Sequence, residues 1–282
     1  MATTTQVAVL ARTANPIDLW HLLSLDAPTV AVLWTWFIAR ACHVALPLAA
    51  PFAMALAVWI LYAADRLLDV RRMGDPASEF EARHFFHHRH RNTFLIGIAV
   101  AAISLAALVP HLNHQAIPLY LIEGACLIAW FIIVHASRST HRLPKEIAVG
   151  LFFSAAIFIP TVARDAALRL VLLPSAILFA ALCSLNCLFI YAWEHEGPLT
   201  SRLPHSTTRL ALNHLRALAL ILTTAAAALA LWEVTPIPAA CALAALLLLT
   251  LHRNRRRLAR TTLRATADLA LLTPLLLLPF LR

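Results

Sequence analysis

Long apolar runs separated by short polar segments dominate the chain. A window of about 19 residues, the length that crosses a bilayer as a helix, selects nine candidate spans. They cover residues 28–46, 50–68, 93–110, 116–135, 146–163, 170–192, 210–232, 236–252 and 263–281. Strands of a membrane barrel need only about 9–11 residues, so runs of this length favour helices. The pattern predicts an all-α fold, a polytopic membrane helical bundle of about nine transmembrane helices.

No long polar linker interrupts this pattern, so residues 1–282 are predicted to form a single integral-membrane domain. Residues 1–26 lack a basic segment followed directly by an apolar core, which argues against a cleavable signal peptide. Several apolar residues between 17 and 25 could form a short helix at the membrane surface. The first 26 residues are therefore predicted to be a cytoplasmic or interfacial segment.

Composition agrees with a membrane protein, because 61% of the residues are hydrophobic and 13% are charged. Soluble domains have about 45–50% and about 25%. The net charge is +9, but the arginines cluster in alternate loops between the apolar runs, which is the positive-inside pattern. This favours contact with membrane lipids and no nucleic acid partner. The predicted location is a bacterial inner membrane, with the N-terminus and the loops after even-numbered spans in the cytoplasm and the C-terminus outside.

Two carboxylates, Asp65 and Asp69, end the second predicted span. A charge inside a bilayer costs about 2.5–3.5 kcal/mol or more, which makes such residues candidates for function. A spacing of four residues places both on one face of a helix, and paired carboxylates are hard oxygen ligands that suit Mg²⁺. The alternative is a structural pair of helix-end carboxylates that form salt bridges to Arg66, Arg71 or Arg72.

A second acidic helix end follows the sixth predicted span, where Asn186, Glu194 and Glu196 lie. The charge pattern places it on the same side of the membrane as the first. Two such ends can hold Mg²⁺ ions that bridge a diphosphate, while loop cations neutralise charge as the diphosphate leaves. Alternatively, Glu194 and Glu196 are solvated loop residues.

The chain resembles the UbiA family of intramembrane prenyltransferases, which carry an acidic motif after the second helix and another after the sixth. The entry SLDAPTVAVLW, with Asp26 and Pro28, is similar to the lead of the family into its first helix. LYAADRLLD supplies the two aspartates of the first motif as Asp65 and Asp69. The asparagine that the family has four residues before the first of them is Leu61 in this chain.

Two further segments carry the resemblance. LPKEIAVGLFF, with Lys145 and Gly150, is similar to the basic residue and glycine at the entry of the fifth family helix. Asn186, followed eight residues later by Glu194, matches the asparagine and the start of the second acidic motif. Four residues after Glu194 the chain has Pro198 where the family has an acid.

The resemblance implies that Mg²⁺ binds a polyprenyl diphosphate, and that an allylic cation is captured by a small, often aromatic, acceptor. It implies the catalytic residues Asp65, Asp69 and Lys145, the metal ligands Asp65, Asp69, Glu194 and Glu196, and the substrate-binding residues Asn186, Arg66, Arg72 and Arg138.

Two other functions fit the same pattern, namely a catalytically degenerate UbiA-like protein with a scaffold or lipid-binding role, and a transporter that uses intramembrane acids.

The histidines of the segment 84–90 suit a basic surface, a phosphate contact or a zinc site. Asp268 is predicted either to pair with Arg264 or to act in the cavity. Prenyl chain length, acceptor and oligomeric state do not follow from the sequence.

Overall fold

The computed structural model describes residues 16–72, 86–87, 89–136, 145–194, 206–233 and 235–281. All regular secondary structure in these ranges is helical. The α-helices, in chain order, are α1 (Pro16–Leu22), α2 (Asp26–Ala41), α3 (Ala49–Arg72), α4 (Arg91–Leu108), α5 (Ala116–Ala136), α6 (Lys145–Arg164), α7 (Leu168–Val171), α8 (Leu173–Glu194), α9 (Ser206–Asn213), α10 (Leu215–Trp232), α11 (Ile237–Asn254), α12 (Arg260–Ala270) and α13 (Pro274–Leu277).

Seven stretches within the described ranges are helical, long and apolar enough to cross a membrane. They are Ala49–Leu68, Arg91–His111, Lys145–Arg164, Leu173–Glu194, Leu215–Trp232, Ile237–Arg257 and Thr262–Phe280. The all-helical fold and the presence of membrane-spanning helices are as predicted, whereas the predicted count of nine is not confirmed. The difference falls on the predicted spans 28–46 and 116–135. The second of these lies on α5, a helix of 21 residues, in which the stretch Ala116–Trp130 is apolar.

Helix α2 is a short core helix. Its 16 residues extend about 24 Å, which is less than the hydrocarbon core of about 30 Å. Trp34, Phe37 and Ile38 are fully buried, and the helix packs against α3, α6 and α12. A helix that is apolar on all sides suits the inside of a bundle as well as a lipid environment. Hydropathy alone therefore does not distinguish α2 from a lipid-facing span.

The last predicted span is broken. Helix α12 ends at Ala270, and α13 begins at Pro274, because proline lacks the backbone N–H that would continue the helical bonding. The break leaves carbonyl groups for other donors. The indole N–H of Trp34 donates to the carbonyl oxygen of Leu271 at 2.8 Å, and the Thr273 hydroxyl donates to the Ala240 carbonyl oxygen at 2.9 Å. The break is thus tied to both α2 and α11.

Helices α6 and α8 make the most extensive helix–helix interface of the described chain. Gly150 allows this close approach. A Cβ at Gly150 would lie 2.9 Å from the Ser184 backbone nitrogen and would also overlap the Ala180 carbonyl oxygen and the Ser184 hydroxyl. Ser154 adds a hydrogen bond from its hydroxyl to the Ala176 carbonyl oxygen at 2.8 Å. This interface positions α8, which carries Asn186 and Glu194.

Candidate functional site

A group of polar side chains, two of them buried and one half-buried, lies where α1, α2 and α12 meet. His21, Asp26 and Asp268 each offer one ligand atom, and these atoms all lie within 4.8 Å of one another. His21 Nδ1 lies 2.6 Å from Asp26 Oδ2. Within the described ranges, no other three or more His, Cys, Asp or Glu residues converge in this way. We call these three residues the His–Asp cluster.

Asn186 joins the His–Asp cluster from α8. Its Nδ2 donates a hydrogen bond to Asp268 Oδ1 at 3.0 Å. The residue is only 5% exposed, and its Oδ1 is buried with no hydrogen-bond partner among the described residues. A buried polar atom without a partner costs about 1–3 kcal/mol. The amide oxygen is therefore a buried acceptor, on a side chain bonded to Asp268, that has no hydrogen-bond donor among the described residues.

Two arginines supply positive charge around the cluster. Arg66 reaches inward from α3, with its side chain 12% exposed and its guanidinium 5.9 Å from the centre of the Tyr62 ring. Its charge acts on Asp26. Arg264 on α12 forms an ion pair with Glu194, the last residue of α8. We call the His–Asp cluster together with Asn186, Arg66, Arg264 and Glu194 the polar centre. It combines carboxylates, guanidinium groups, an imidazole and an amide inside an apolar bundle.

The turn between α1 and α2 is held in place by other helices. Ser24 has a φ of 55°, and its hydroxyl lies 3.2 Å from Nε2 of His87. Trp59 on α3 donates its indole N–H to the Leu23 carbonyl oxygen at 3.1 Å. The His87 ring also stacks on Phe94 at 4.1 Å between centroids. These contacts fix the turn between His21 and Asp26, so the geometry of the cluster depends on α3 and α4.

One histidine of the predicted basic segment, His87, is buried inside the protein. His87 is fully buried, and His90 lies 2.9 Å, through its Nδ1, from the Phe86 carbonyl oxygen. His84 and His88 lie outside the described residues. His87 therefore packs against the protein, whereas Arg89 of the same segment is exposed; the basic surface considered for the segment stays a prediction.

The first predicted acidic motif is only partly described. The Asp65 side chain is 47% exposed, and its Oδ2 lies 3.8 Å from Nη1 of Arg66. The residue that reaches the polar centre is the next one, Arg66. Asp69 and Arg72 belong to α3, but their side chains lie outside the description. How the carboxylates of the motif are arranged relative to each other therefore stays a prediction.

The other predicted site residues are spread over several elements. Lys145 is the first residue of α6 and is exposed, and Glu194 pairs with Arg264. Arg138 and Glu196 lie outside the described residues. Of the residues predicted to bind substrate, Asn186 and Arg66 both contribute to the polar centre.

Sequence reasoning did not single out the His–Asp cluster. The available signal was the position of Asp26 and Asp268 at the edges of apolar runs, where acids are costly. Asp268 was expected to pair with Arg264 or to act in a cavity. In the structure it bonds Asn186, and its charge is also stabilised by Arg264.

The arrangement can bind ions of both signs. Its carboxylates and amide oxygen suit a cation, and its guanidinium groups suit an anion such as a phosphate. Because these groups lie among apolar helices, a lipid with a charged head group is a suitable ligand. No family model, no curated protein and no solved structure matches the chain.

Proposed function

We propose that the protein is a membrane-embedded transferase that moves a prenyl group from a polyprenyl diphosphate to a small acceptor, often an aromatic one. The observation that supports this proposal is the polar centre of both charge signs inside an apolar helical bundle. Burying an ionised group costs several kcal/mol, so charged groups in such a place indicate a ligand or a reaction. The UbiA-like DRLLD stretch lies on α3, the same helix that directs Arg66 into this centre.

The guanidinium groups account for recognition of the diphosphate. Arginine binds phosphate oxygens through paired N–H donors, and Arg66 and Arg264 both lie at the polar centre. Lys145 is the first residue of α6, and the N-terminus of a helix favours anions. These residues would orient the head group, while the apolar helices contact the prenyl tail.

In the proposed reaction, the bond between the allylic carbon and the diphosphate oxygen breaks. The electron pair leaves with the diphosphate, and the allylic cation is attacked by the acceptor, which then loses a proton. Arg66, Arg264 and Lys145 stabilise the charge that develops on the leaving group. The apolar surroundings keep water away from the cation.

Magnesium, when bound, supplies further charge neutralisation for the diphosphate. Asp65 suits this role because its carboxylate is half exposed and has only a long contact of 3.8 Å to Arg66. Glu194 suits it less, because its carboxylate already pairs with Arg264 and would have to share that partner with the ion. Asp69 and Glu196 complete the proposed ligand set and lie outside the described side chains.

The pairing of Glu194 with Arg264 also favours a second candidate, a catalytically degenerate protein that binds a prenyl lipid without turnover. Both the carboxylate and the guanidinium of this pair would be used for structure. This protein would bind a polyprenyl diphosphate but would release no diphosphate.

Purified full-length protein in lipid nanodiscs separates the two candidates. Prenyl diphosphates of several chain lengths are supplied with aromatic acceptors, with Mg²⁺ or with a chelator, and diphosphate release and ligand binding are both measured. We expect Mg²⁺-dependent release that Asp65→Ala and Asp69→Ala each abolish. Binding without release would favour the degenerate protein, and absence of both would refute either proposal.

Asp165→Ala is the matched control. Asp165 is an exposed acid that follows α6, and the end of α6 lies beside the start of α3, whereas Asp65 lies toward the other end of that helix. The control should retain full turnover. Unchanged turnover in Asp65→Ala or in Asp69→Ala would refute the metal role of that residue.

A further inference from the structure

We infer that His21, Asp26, Asp268 and the amide oxygen of Asn186 form a binding site for one divalent transition-metal ion of the Mn²⁺ or Zn²⁺ kind. The site is separate from the proposed magnesium ligands on α3, and it does not depend on the proposed prenyl transfer. It joins four helices, namely α1, α2, α8 and α12.

The distances suit a common ion. Bonds from such a metal to nitrogen and oxygen ligands are about 2.0–2.2 Å long, so two ligands on opposite sides of one ion are at most about 4.4 Å apart. The ligand atoms of His21, Asp26 and Asp268 already lie within 4.8 Å of one another. Binding one ion would require the widest of these separations to close by a few tenths of an ångström. It would also require the 2.6 Å contact between His21 Nδ1 and Asp26 Oδ2 to open to about 3 Å. Side chains held this closely before binding lose little freedom when the ion arrives.

Asn186 gives independent evidence for a ligand. Its Nδ2 bonds Asp268, which holds the amide against the cluster, and its Oδ1 is buried without a hydrogen-bond partner among the described residues. A cation bound between the carboxylates would accept this oxygen as a fourth ligand. Without such an ion, the oxygen carries the cost of a buried acceptor that nothing satisfies.

The charge balance also favours a cation. Two ionised carboxylates no more than 4.8 Å apart repel each other by at least about 3.5 kcal/mol at an effective dielectric constant of 20. Arg66 and Arg264 offset part of this repulsion, but Arg264 also pairs with Glu194. His21, next to Asp26, offsets a further part when it is protonated. A divalent ion bound between the carboxylates would replace their mutual repulsion with attraction to the ion.

The imidazole of His21 decides which metal is expected. Mg²⁺ strongly prefers oxygen ligands, whereas imidazole together with carboxylates suits Zn²⁺, and carboxylates also suit Mn²⁺. The site is therefore chemically distinct from the all-oxygen set proposed for magnesium. A competing explanation is that Asp26 and Asp268 share one proton and need no metal.

Manganese is the probe that tests the site, because it is paramagnetic and reports its own ligands. Full-length protein is purified, treated with a chelator and titrated with Mn²⁺, and the free ion is followed by electron paramagnetic resonance. Electron spin echo measurements then detect an imidazole nitrogen bound to the metal. We expect one bound Mn²⁺ per chain with a nitrogen coupling, and displacement of that ion by Zn²⁺.

The variants link the signal to the residues. Asp268→Asn and Asp26→Asn should each weaken Mn²⁺ binding at least tenfold, and His21→Gln should abolish the nitrogen coupling. Asp165→Asn, the exposed acid beyond α6, should leave both unchanged. Circular dichroism and gel filtration show whether each variant is folded. If an Asp variant is not folded, the nitrogen coupling in His21→Gln still tests the site.

Three results would overturn the inference. The first is absence of a bound ion in the unaltered protein. The second is a bound ion that shows no nitrogen coupling and that is lost in Asp65→Asn, because that ion would occupy the proposed magnesium ligands. The third is seen in protein that binds no metal. It is an infrared band of a protonated carboxyl that disappears in Asp268→Asn, which would show that the two aspartates share a proton. None of these results depends on prenyl transfer.

Discussion

Gly150 offers a direct test of the packing that positions α8. Replacing it with alanine adds one Cβ at the interface of α6 and α8. That atom would lie 2.9 Å from the Ser184 backbone nitrogen and would also overlap the Ala180 carbonyl oxygen. Both are backbone atoms within a helix, so neither can rotate away. The two helices would have to separate locally to accept the new methyl group.

The expected magnitude is a balance of two effects. Overpacking a well-packed interior costs about 1–3 kcal/mol. The cost lies in the upper part of this range because the new methyl group would overlap backbone atoms. Alanine inside a helix gains about 1 kcal/mol over glycine. The net result is a loss of about 1–2 kcal/mol in the free energy of unfolding for Gly150→Ala.

Gly124→Ala is the matched control, because no described atom beyond its chain neighbours and its own helix backbone lies within 4 Å of the position that its Cβ would occupy. Only the helix propensity acts there, so this variant should be as stable as the unaltered protein or more stable, by up to about 1 kcal/mol. Thermal unfolding in one detergent, followed by circular dichroism, compares the three proteins. A Gly150→Ala protein that unfolds at the same temperature as Gly124→Ala would refute the close approach of α6 and α8.

Two further variants test contacts of the core and the polar centre. Trp34→Phe removes the hydrogen-bond donor to Leu271 and should lower the free energy of unfolding by about 1–3 kcal/mol. The control Trp232→Phe, at an 89% exposed position, should change it by no more than about 0.5 kcal/mol. Equal effects would show that the hydrogen bond contributes nothing. Glu194→Gln removes the carboxylate charge that pairs with Arg264 and should destabilise the protein by about 1–3 kcal/mol. The double variant with Arg264→Leu should lose less than the sum of the two single variants in a double-mutant cycle, and strictly additive losses would contradict the ion pair.

Much of the helical framework could be predicted from hydrophobicity. The predicted spans 146–163 and 236–252 correspond to the helices Lys145–Arg164 and Ile237–Asn254, because long apolar runs end at polar residues. The number of spans was harder to predict. A hydropathy window measures how apolar a segment is, but not whether lipid or other helices surround it. Helix α2 is largely apolar, as a lipid-facing helix is, yet most of its residues are buried by neighbouring helices.

The polar centre shows why the site was harder to predict. The sequence drew attention to Asp65, but successive residues of a helix point about 100° apart, and the inward position belongs to Arg66. His21, Asp26 and Asp268 come together only through tertiary packing. No local spacing connects the beginning of the chain with α12, so sequence periodicity contains no signal for their contact.

The hydrogen bond from Trp34 to Leu271 joins residues 237 positions apart, and this has a consequence for biogenesis. The ribosome synthesises α2 long before α12, so the Trp34 N–H lacks this acceptor until nearly the whole chain has been translated. Chains that stop before α12 would keep this buried donor without its acceptor, although Asp26 already has His21. Such truncated chains should be recognised and degraded by membrane quality control faster than full-length protein, in proportion to how much of α12 they lack.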